Sequence, residues 1–470
     1  MTSVLQYAND GLFLYYLCGN LIYLATLILA IYTSAEHQRR LQSHRLEWIK
    51  ASPLAPPVTI LAPAHNEEES IRASVQSLLS LDYPELEVII INDGSSDGTL
   101  KALRDEFRLR PVNALYIPQI ETAPVRGLYR SEQEPRLLVI DKAAGGSKAD
   151  AVNAGLNAAT SPYICIVDAD SVLEPDALLR IMIPVLTDPK RVVGAGGIVR
   201  VLNGSKLEAG RIRQVCLPRK GIEIIQVVEY LRAFLIGREA WAQLNMLMII
   251  SGAFGIFRTD LVRAIGGYRA QAIGEDFDLV ARMHRYLLEH KSEYRVRFVS
   301  DPVCWTEVPA DLRSLARQRA RWQKGLLECL WANRDMLFRA RYGRIGWLGL
   351  PYLWLFELFA PIVELGGMVT IAAAAWMGAL SREFFVQFLL FGYAFATVIS
   401  IGSVLQEEFT YRRYSDWRDV ARLVSYCFLE HLPYRQMHMV WRLQGLWQYV
   451  RGDLAWNSPK RQGLESAGVS

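Results

Sequence analysis

The sequence predicts an α/β protein in which a mostly parallel sheet domain is inserted between transmembrane helices. Three observations predict it. Short, nearly continuous β-branched runs alternate with helical stretches between residues 58 and 167, the pattern of strands covered on both faces. Apolar runs of bilayer length lie on either side of that region. Finally, 51% of the residues are apolar and the mean hydropathy is +0.12. That is high for a soluble enzyme and low for a protein made of spans alone.

The first element is the apolar run from Gly11 to about Tyr32, about one bilayer long. Met1–Asp10 carries no Lys or Arg, whereas Arg39, Arg40, Arg45 and Lys50 follow the run. A cleavable leader would have its positive charge first. The positive-inside rule therefore gives an uncleaved anchor with the N-terminus outside and the next segment in the cytoplasm. Val58–Ala62, Glu87–Ile91, Leu137–Ile140 and Tyr163–Val167 read as strands, and Glu68–Ser80 and Ser147–Ala159 as helices. Pro118–Arg136 has charges, two prolines and no period, which predicts an exposed loop without chemistry.

Membrane character returns near Ile345. Ile345–Leu380 exceeds one simple span, and Pro351 and Pro361 divide it into an interfacial helix and a crossing helix starting near Pro361. Phe384–Leu405 is the next span, after the turn at Ser381–Glu383. Tyr411–Arg413 and a tail with Arg451, Lys460 and Arg461 both belong inside, so Val420–Val450 is expected to be interfacial or re-entrant. The chain thus divides into an anchor and basic juxtamembrane segment (1–50) and a cytoplasmic α/β domain (51–310). Amphipathic interface helices (311–344), transmembrane and interfacial helices (345–450) and a cytoplasmic tail (451–470) follow.

Composition excludes several classes. A net charge of +4 without a basic, aromatic-interleaved stripe argues against nucleic acid as a partner. The six cysteines form no CxxC pair and the histidines are scattered. A zinc site or disulfide framework is not expected, and the α/β domain reads as cytosolic and reducing.

Four acidic clusters follow one another in the α/β domain. Pro63-Ala-His-Asn-Glu67 and Asn92-Asp-Gly-Ser-Ser-Asp97 each follow a strand; taken singly, either reads equally as an acidic turn. Val167-Asp-Ala-Asp-Ser171 places Asp168 and Asp170 where both can reach one divalent cation. Oxygen-only ligands suit Mg2+ or Mn2+; the plainer reading is a turn whose Asp170 or Ser171 caps a helix. Gly274-Glu-Asp-Phe-Asp278 offers Asp276, with Glu275 beside it, as a general base. It also reads as an acidic helix start. Gln318, Arg321 and Trp322 stand at i, i+3 and i+4 on a basic amphipathic stretch and so share a face. Arg can bind a diphosphate and an indole can stack on a sugar; a basic helix lying on anionic lipid is the rival.

In this order the clusters resemble the membrane-bound, processive branch of the family 2 glycosyltransferases, such as cellulose, hyaluronan and poly-N-acetylglucosamine synthases. The resemblance runs from about Val58 to Gly325, and its most specific element is Gln-x-x-Arg-Trp. It implies a GT-A-type, Rossmann-like fold. It also implies donor binding by Pro63, Asn66, Glu67, Asp93, Lys148, Asp168, Gln318 and Arg321, with uridine on the first four. Asp168 and Asp170 become the metal pair, and Asp276 the catalytic base. Gly252, Phe254, Glu275 and Trp322 become acceptor residues, the first two within Ser251-Gly-Ala-Phe254.

The implied reaction inverts a UDP-sugar into a β-linked polysaccharide, the growing polymer being the acceptor. UDP-N-acetylglucosamine comes first, on the likeness around Gln226–Tyr230, and UDP-glucose next. The implied location is the inner membrane, multi-pass, in contact with the lipid bilayer. Glu357 and Glu364, a heptad apart, either line the polymer's path or face water from an interfacial helix. Three spans are few for a polymer channel, which suggests a small membrane partner subunit or a homo-oligomer. The sequence shows no regulatory domain after the membrane region. Rival functions are transfer of one sugar to a lipid, and an inactive membrane scaffold or receptor.

Overall fold

The computed structural model describes residues 2–43, 46–50, 52, 55–113, 116–208, 211–378, 382–414 and 416–453. Ser381 and the tail from residue 454, with Lys460 and Arg461, lie outside the described residues. The chain forms two compact units. His37–Pro218 and Ala242–Val308 build one, and Met1–Glu36, Arg219–Trp241 and Pro309–Pro459 build the other. Arg219–Trp241, within the stretch 51–310, groups with the second of these units.

The first unit is built on strands β1 (Val58–Ala64), β2 (Leu86–Asp93), β3 (Leu109–Pro111), β4 (Val125–Ser131), β5 (Leu137–Lys142) and β6 (Tyr163–Val167). They are followed by β7 (Val172–Leu173), β8 (Val192–Val201), β9 (Lys206–Glu208), β10 (Arg211–Gln214), β11 (Phe254–Arg258) and β12 (Arg295–Thr306). Ten of them form one sheet in the order β3-β4-β5-β2-β1-β6-β11-β8-β12-β7, and β9 and β10 form a separate hairpin. The four strands read from the sequence pair in parallel as β5-β2-β1-β6. β4, β11 and β7 run against their neighbours, so the sheet is mixed. Ile60, Leu61, Ile89 to Ile91, Val139, Ile140, Ile164 and Val167 have no exposed surface. Helices cover them, among them Ile71–Leu79 and Lys148–Ala158.

Two expectations about the sheet needed correcting. The stretch Pro118–Arg136 is not all loop: β4 lies within it, antiparallel to β5. Only Ser131 of β4 is buried, and a strand near a sheet edge needs no continuous apolar run. β8 was missed because of its glycines, which depress strand propensity. They answer a packing demand: a Cβ on Gly197 would lie 2.2 Å from the Phe254 ring on β11.

The second unit has helices and no strand among its described residues. Its first helix is Thr2–Ser43, longer at both ends than the apolar run. Asn9–Ser34 and Phe385–Thr410, 26 residues each, are long and apolar enough to cross a membrane. Ile345–Leu358 and Ala360–Trp376 form a third, broken candidate bent by 45°. Leu14, Leu21, Ile28, Tyr32, Val369 and Phe409 stand exposed on these helices, as lipid-facing side chains do. Trp417–Leu429 and Arg435–Val450 complete the unit.

Candidate active site

Four of the predicted donor residues, Pro63, Asn66, Glu67 and Asp93, lie at the carboxyl ends of β1 and β2. Past β1 the chain turns through Asn66, which takes a positive φ of 57°, tolerated by Asn better than by most residues. The Asn66 N–H donates to Ser95 Oγ (3.0 Å), and its Oδ1 accepts from the Ser96 N–H (2.8 Å). The Glu67 N–H donates to Thr99 Oγ1 (2.9 Å), and Glu67 Oε2 accepts from Ser70 Oγ (2.7 Å). Glu68 and Asp97 exchange bonds with each other's backbone segments at 2.9 and 3.1 Å. Burial alone would raise the Asp97 carboxyl, but hydrogen bonds from Thr99 and Glu68 hold it below its usual value. Asn66 and Glu67 thus sit on a loop stitched to the one that follows Asp93, while Pro63 lies near the end of strand β1 before it. His65 serves the same purpose, its Nδ1 lying 2.7 Å from the Asp93 carbonyl.

Behind Asp93 stands a residue that sequence reasoning missed. Lys142, opposite Asp93 in the β2–β5 register, has no exposed surface. Its ammonium donates to Asp93 Oδ1 (2.6 Å) and the Ala143 carbonyl (2.8 Å) and forms an ion pair with Asp150 Oδ2 (2.5 Å). The available signal was the charge itself: a lysine ends an apolar strand two residues beyond Ile140.

The second cluster centres on Lys148, first residue of the helix Lys148–Ala158, which Ser147 caps through the Asp150 N–H (3.3 Å). Lys148 Nζ pairs with Asp168 Oδ1, donates to the Gly252 carbonyl at 2.9 Å and lies 3.9 Å from Glu275 Oε1. Burial would depress this ammonium, but Asp168, Glu275 and Asp276 outweigh it and raise it above its ordinary value. Gly252 must be small here: a Cβ would sit 3.0 Å from Lys148 Nζ and 3.9 Å from the Asp276 Cβ. Asp276 lies in the first turn of the helix Glu275–Glu289, and its Oδ1 accepts from the Phe277 N–H at 2.9 Å. The buried Tyr268 phenol, pushed up by burial and then by Glu275 and Asp276, reports the same negative field. Lys148, Asp168, Gly252, Glu275 and Asp276 are therefore neighbours, although they come from four separate chain segments.

Two acidic-motif neighbours have structural work instead. Asp278 is buried in ion pairs with Arg269 (2.6 Å) and Arg282 (2.7 Å). Phe254, expected to touch the acceptor, is fully buried on β11 against Gly197. Its side chain belongs to the sheet core, because β11 alternates and Phe254 points inward.

Asp168 follows β6 directly, and Asp170 is 8% exposed. Among the described residues, no group of three or more His, Cys, Asp or Glu is arranged to hold a metal ion. The pair thus offers two carboxylates. That donor set fits Mg2+ or Mn2+, which bind through one or two carboxylates and complete their shell with substrate phosphates and water.

In the helical unit, Gln318, Arg321 and Trp322 lie on the helix Leu312–Ala332. Trp322 is 44% exposed, and the Arg319 guanidinium packs over its ring at 4.4 Å. Arg319 pairs with Glu229 (2.5 Å), which also accepts from the Tyr434 hydroxyl (3.0 Å). Gln318 Oε1 is buried without a hydrogen bond, and Arg321 has no carboxylate partner among the described residues. Glu364 pairs with Arg435 (2.6 Å), and Glu357 accepts from Tyr352 (3.1 Å) with Arg442 4.0 Å away.

Family models describe most of the chain. "Glycosyl transferase family 2" matches residues 59–263 and "Glycosyl transferase family group 2" matches residues 163–401. Among curated proteins, the poly-beta-1,6-N-acetyl-D-glucosamine synthase of Staphylococcus epidermidis is 27% identical over 309 residues, 65% of this chain and 61% of that protein. The synthase of the same name from Staphylococcus aureus strain COL is 26% identical over 310 residues, 65% of this chain and 62% of that protein. The chain thus spans less than two thirds of these relatives. A solved mannosyltransferase from Pyrobaculum calidifontis, in complex with GDP-Man and Mn2+, superposes with a TM-score of 0.50. It covers 90% of this chain and 99% of its own at 19% identity, a likeness of fold.

Proposed function

The chain belongs to glycosyl transferase family group 2, and from that premise we propose that it is an inverting, processive glycosyltransferase. It polymerises a UDP-sugar, UDP-N-acetylglucosamine first and UDP-glucose second, into a β-linked exopolysaccharide. The observation that carries this reading is the Lys148 cluster. One enclosed ammonium lies among Asp168, Glu275 and Asp276 at the strand ends, the surroundings a diphosphate transfer requires. The printed names of the staphylococcal relatives support the choice of sugar.

In this mechanism Pro63, Asn66, Glu67 and Asp93 receive the uridine. Asp276 accepts the proton of the acceptor hydroxyl, whose oxygen forms a bond to the anomeric carbon as the bond to the β-phosphate breaks. The electron pair departs with UDP, and the configuration at that carbon inverts. Lys148 lies beside Asp168 to neutralise the departing diphosphate, and the family resemblance assigns Arg321 to the donor as well. A Mg2+ or Mn2+ on Asp168 and Asp170 would supply Lewis-acid stabilisation of the same leaving group. Gly252 leaves space for the acceptor between Lys148 and Asp276, while Glu275 holds its terminal sugar, a role the family resemblance also gives to Trp322. Holding donor and acceptor together supplies much of the rate through orientation.

The sheet unit is cytoplasmic and the helical unit crosses the inner membrane, with the N-terminus outside. This orientation follows the basic residues after the first span. Three candidate spans are few for an export path, so a small membrane partner or a second copy of the chain completes it. The test is product length. Purified protein supplied with labelled UDP-N-acetylglucosamine should yield a ladder of oligomers. A single glycolipid product would replace this reading with one-sugar transfer to lipid. Donor binding without any product would make the chain an inactive scaffold.

A further inference from the structure

We propose that Lys142 is a positioning residue for nucleobase recognition, fixing Asp93 and tying it to the helix that carries Lys148. The inference rests on the donor reading above and adds a residue that neither the motifs nor the family resemblance singles out.

An ammonium has three N–H donors; Lys142 donates to Asp93 Oδ1 and the Ala143 carbonyl and forms an ion pair with Asp150 Oδ2 at 2.5 Å. Asp93 Oδ1 accepts a second bond, from the Gly145 N–H at 3.0 Å. One oxygen of Asp93 is therefore pinned from two sides. Its other oxygen, Oδ2, has no bonded partner among the described residues and is not sealed in. Unlike the buried Asn92 Oδ1 beside it, it is an unpartnered acceptor at the end of β2 that is not sealed in, among the described residues. Such an oxygen suits the imide N–H of uracil and opposes cytosine, which presents an acceptor at the same ring position.

Asp150 makes the link to the diphosphate side. Its Oδ1 accepts from the Ala123 N–H at 3.0 Å, and it lies two residues after Lys148 on the same helix. The packing leaves little play. A Cβ on Gly145 would lie 1.9 Å from Asp150 Oδ2, and one on Gly94 would lie 2.5 Å from the Ala144 nitrogen. β2, β5 and the start of the Lys148 helix are thus clamped by one buried lysine between two aspartates. An arrangement serving stability alone would not need the second carboxylate, since the surplus negative charge is costly to bury. It becomes intelligible if Asp93 must be held while its outer oxygen stays available.

The test measures binding of UDP and CDP to the full-length, detergent-solubilised protein by titration calorimetry, beside thermal unfolding. Wild type should prefer UDP. Lys142→Met combined with Asp150→Asn removes the lysine together with one carboxylate, so no uncompensated pair remains. The folded double variant should lose about tenfold in UDP affinity, in line with one hydrogen bond to a charged group. Its UDP/CDP ratio should collapse toward that of Asp93→Asn. A folded double variant with an unchanged ratio overturns the inference and leaves the donor reading standing. A wild-type protein without preference for UDP overturns the donor reading and this inference with it. Should the double variant not fold, Asp150→Asn alone decides. It leaves Lys142 and Asp93 as a one-to-one pair, so the ratio should be kept, and its loss in a folded protein overturns the role given to Lys142.

Discussion

The strand ends of the sheet unit and the interior of the helical unit bury charge by opposite rules. At the strand ends of the sheet unit, acids outnumber cations: Asp93 and Asp150 share Lys142, and Asp168, Glu275 and Asp276 surround Lys148. In the helical unit the pairs are one to one, with Arg232 on Glu430, Arg319 on Glu229 and Arg435 on Glu364. Charge in apolar surroundings is costly unless paired, and more so in a bilayer. The balanced pairs therefore hold helices together, whereas the surplus of acid coincides with the residues proposed to receive the donor. Among the described residues Arg321 lacks a carboxylate partner and the buried Gln318 Oε1 lacks a donor, as do the buried Oε1 atoms of Gln226, Gln406 and Gln436; Gln318 and Arg321 are the ones assigned to ligand.

This contrast can be broken by removing one acid from each side. Asp276→Asn should lower turnover by about 10²–10⁴, the usual worth of a general base, with UDP binding and thermal unfolding unchanged. Loss of stability instead would make Asp276 a structural acid. Glu364→Gln should do the reverse, costing about 3–5 kcal/mol of stability by stranding Arg435. Glu364→Leu with Arg435→Met should recover most of it, as read from unfolding in detergent.

A third effect concerns pH. His284 is fully buried, its Nε2 2.9 Å from the Leu247 carbonyl and its Nδ1 2.7 Å from the Tyr294 hydroxyl. Burial lowers its pKa to about 4, from 6.5. The unfolded chain therefore takes up this proton first. The stability contributed is complete above pH 6.5 and lost as pH falls toward 4, about 3 kcal/mol in all. His284→Phe should flatten the pH dependence of unfolding across that window. The smallest effect sharpens the comparison at Arg321. Arg321→Lys keeps the charge but loses the planar fork, and should lower kcat/KM by about tenfold without changing stability.

The sequence made one part of this legible and left another hidden, for a physical reason. β1, β2, β5 and β6 were readable because strands buried on both faces need continuous apolar runs. The acids after them were readable because motif residues follow strand ends directly. β8 and β12 escaped, the first through glycines that accommodate Phe254, the second through Arg295 and Arg297 alternating with buried Val296 and Phe298. Charge pairs escaped altogether. Lys142 meets Asp93 across 49 residues and Arg232 meets Glu430 across 198, and only strand register or helix packing brings such partners together. Phe254 shows the converse limit: a motif position can be read correctly as a motif while its side chain serves the core.

The central claim is that the acid-rich strand ends transfer a sugar from UDP. The most direct measurement is UDP release by the purified protein across a panel of UDP-sugars with Mg2+ or Mn2+, beside Asp276→Asn. The account predicts release with one sugar, UDP-N-acetylglucosamine first, that chelation of the metal and the substitution both abolish. Release that survives Asp276→Asn, or none with any sugar from a protein that still binds UDP, would contradict it.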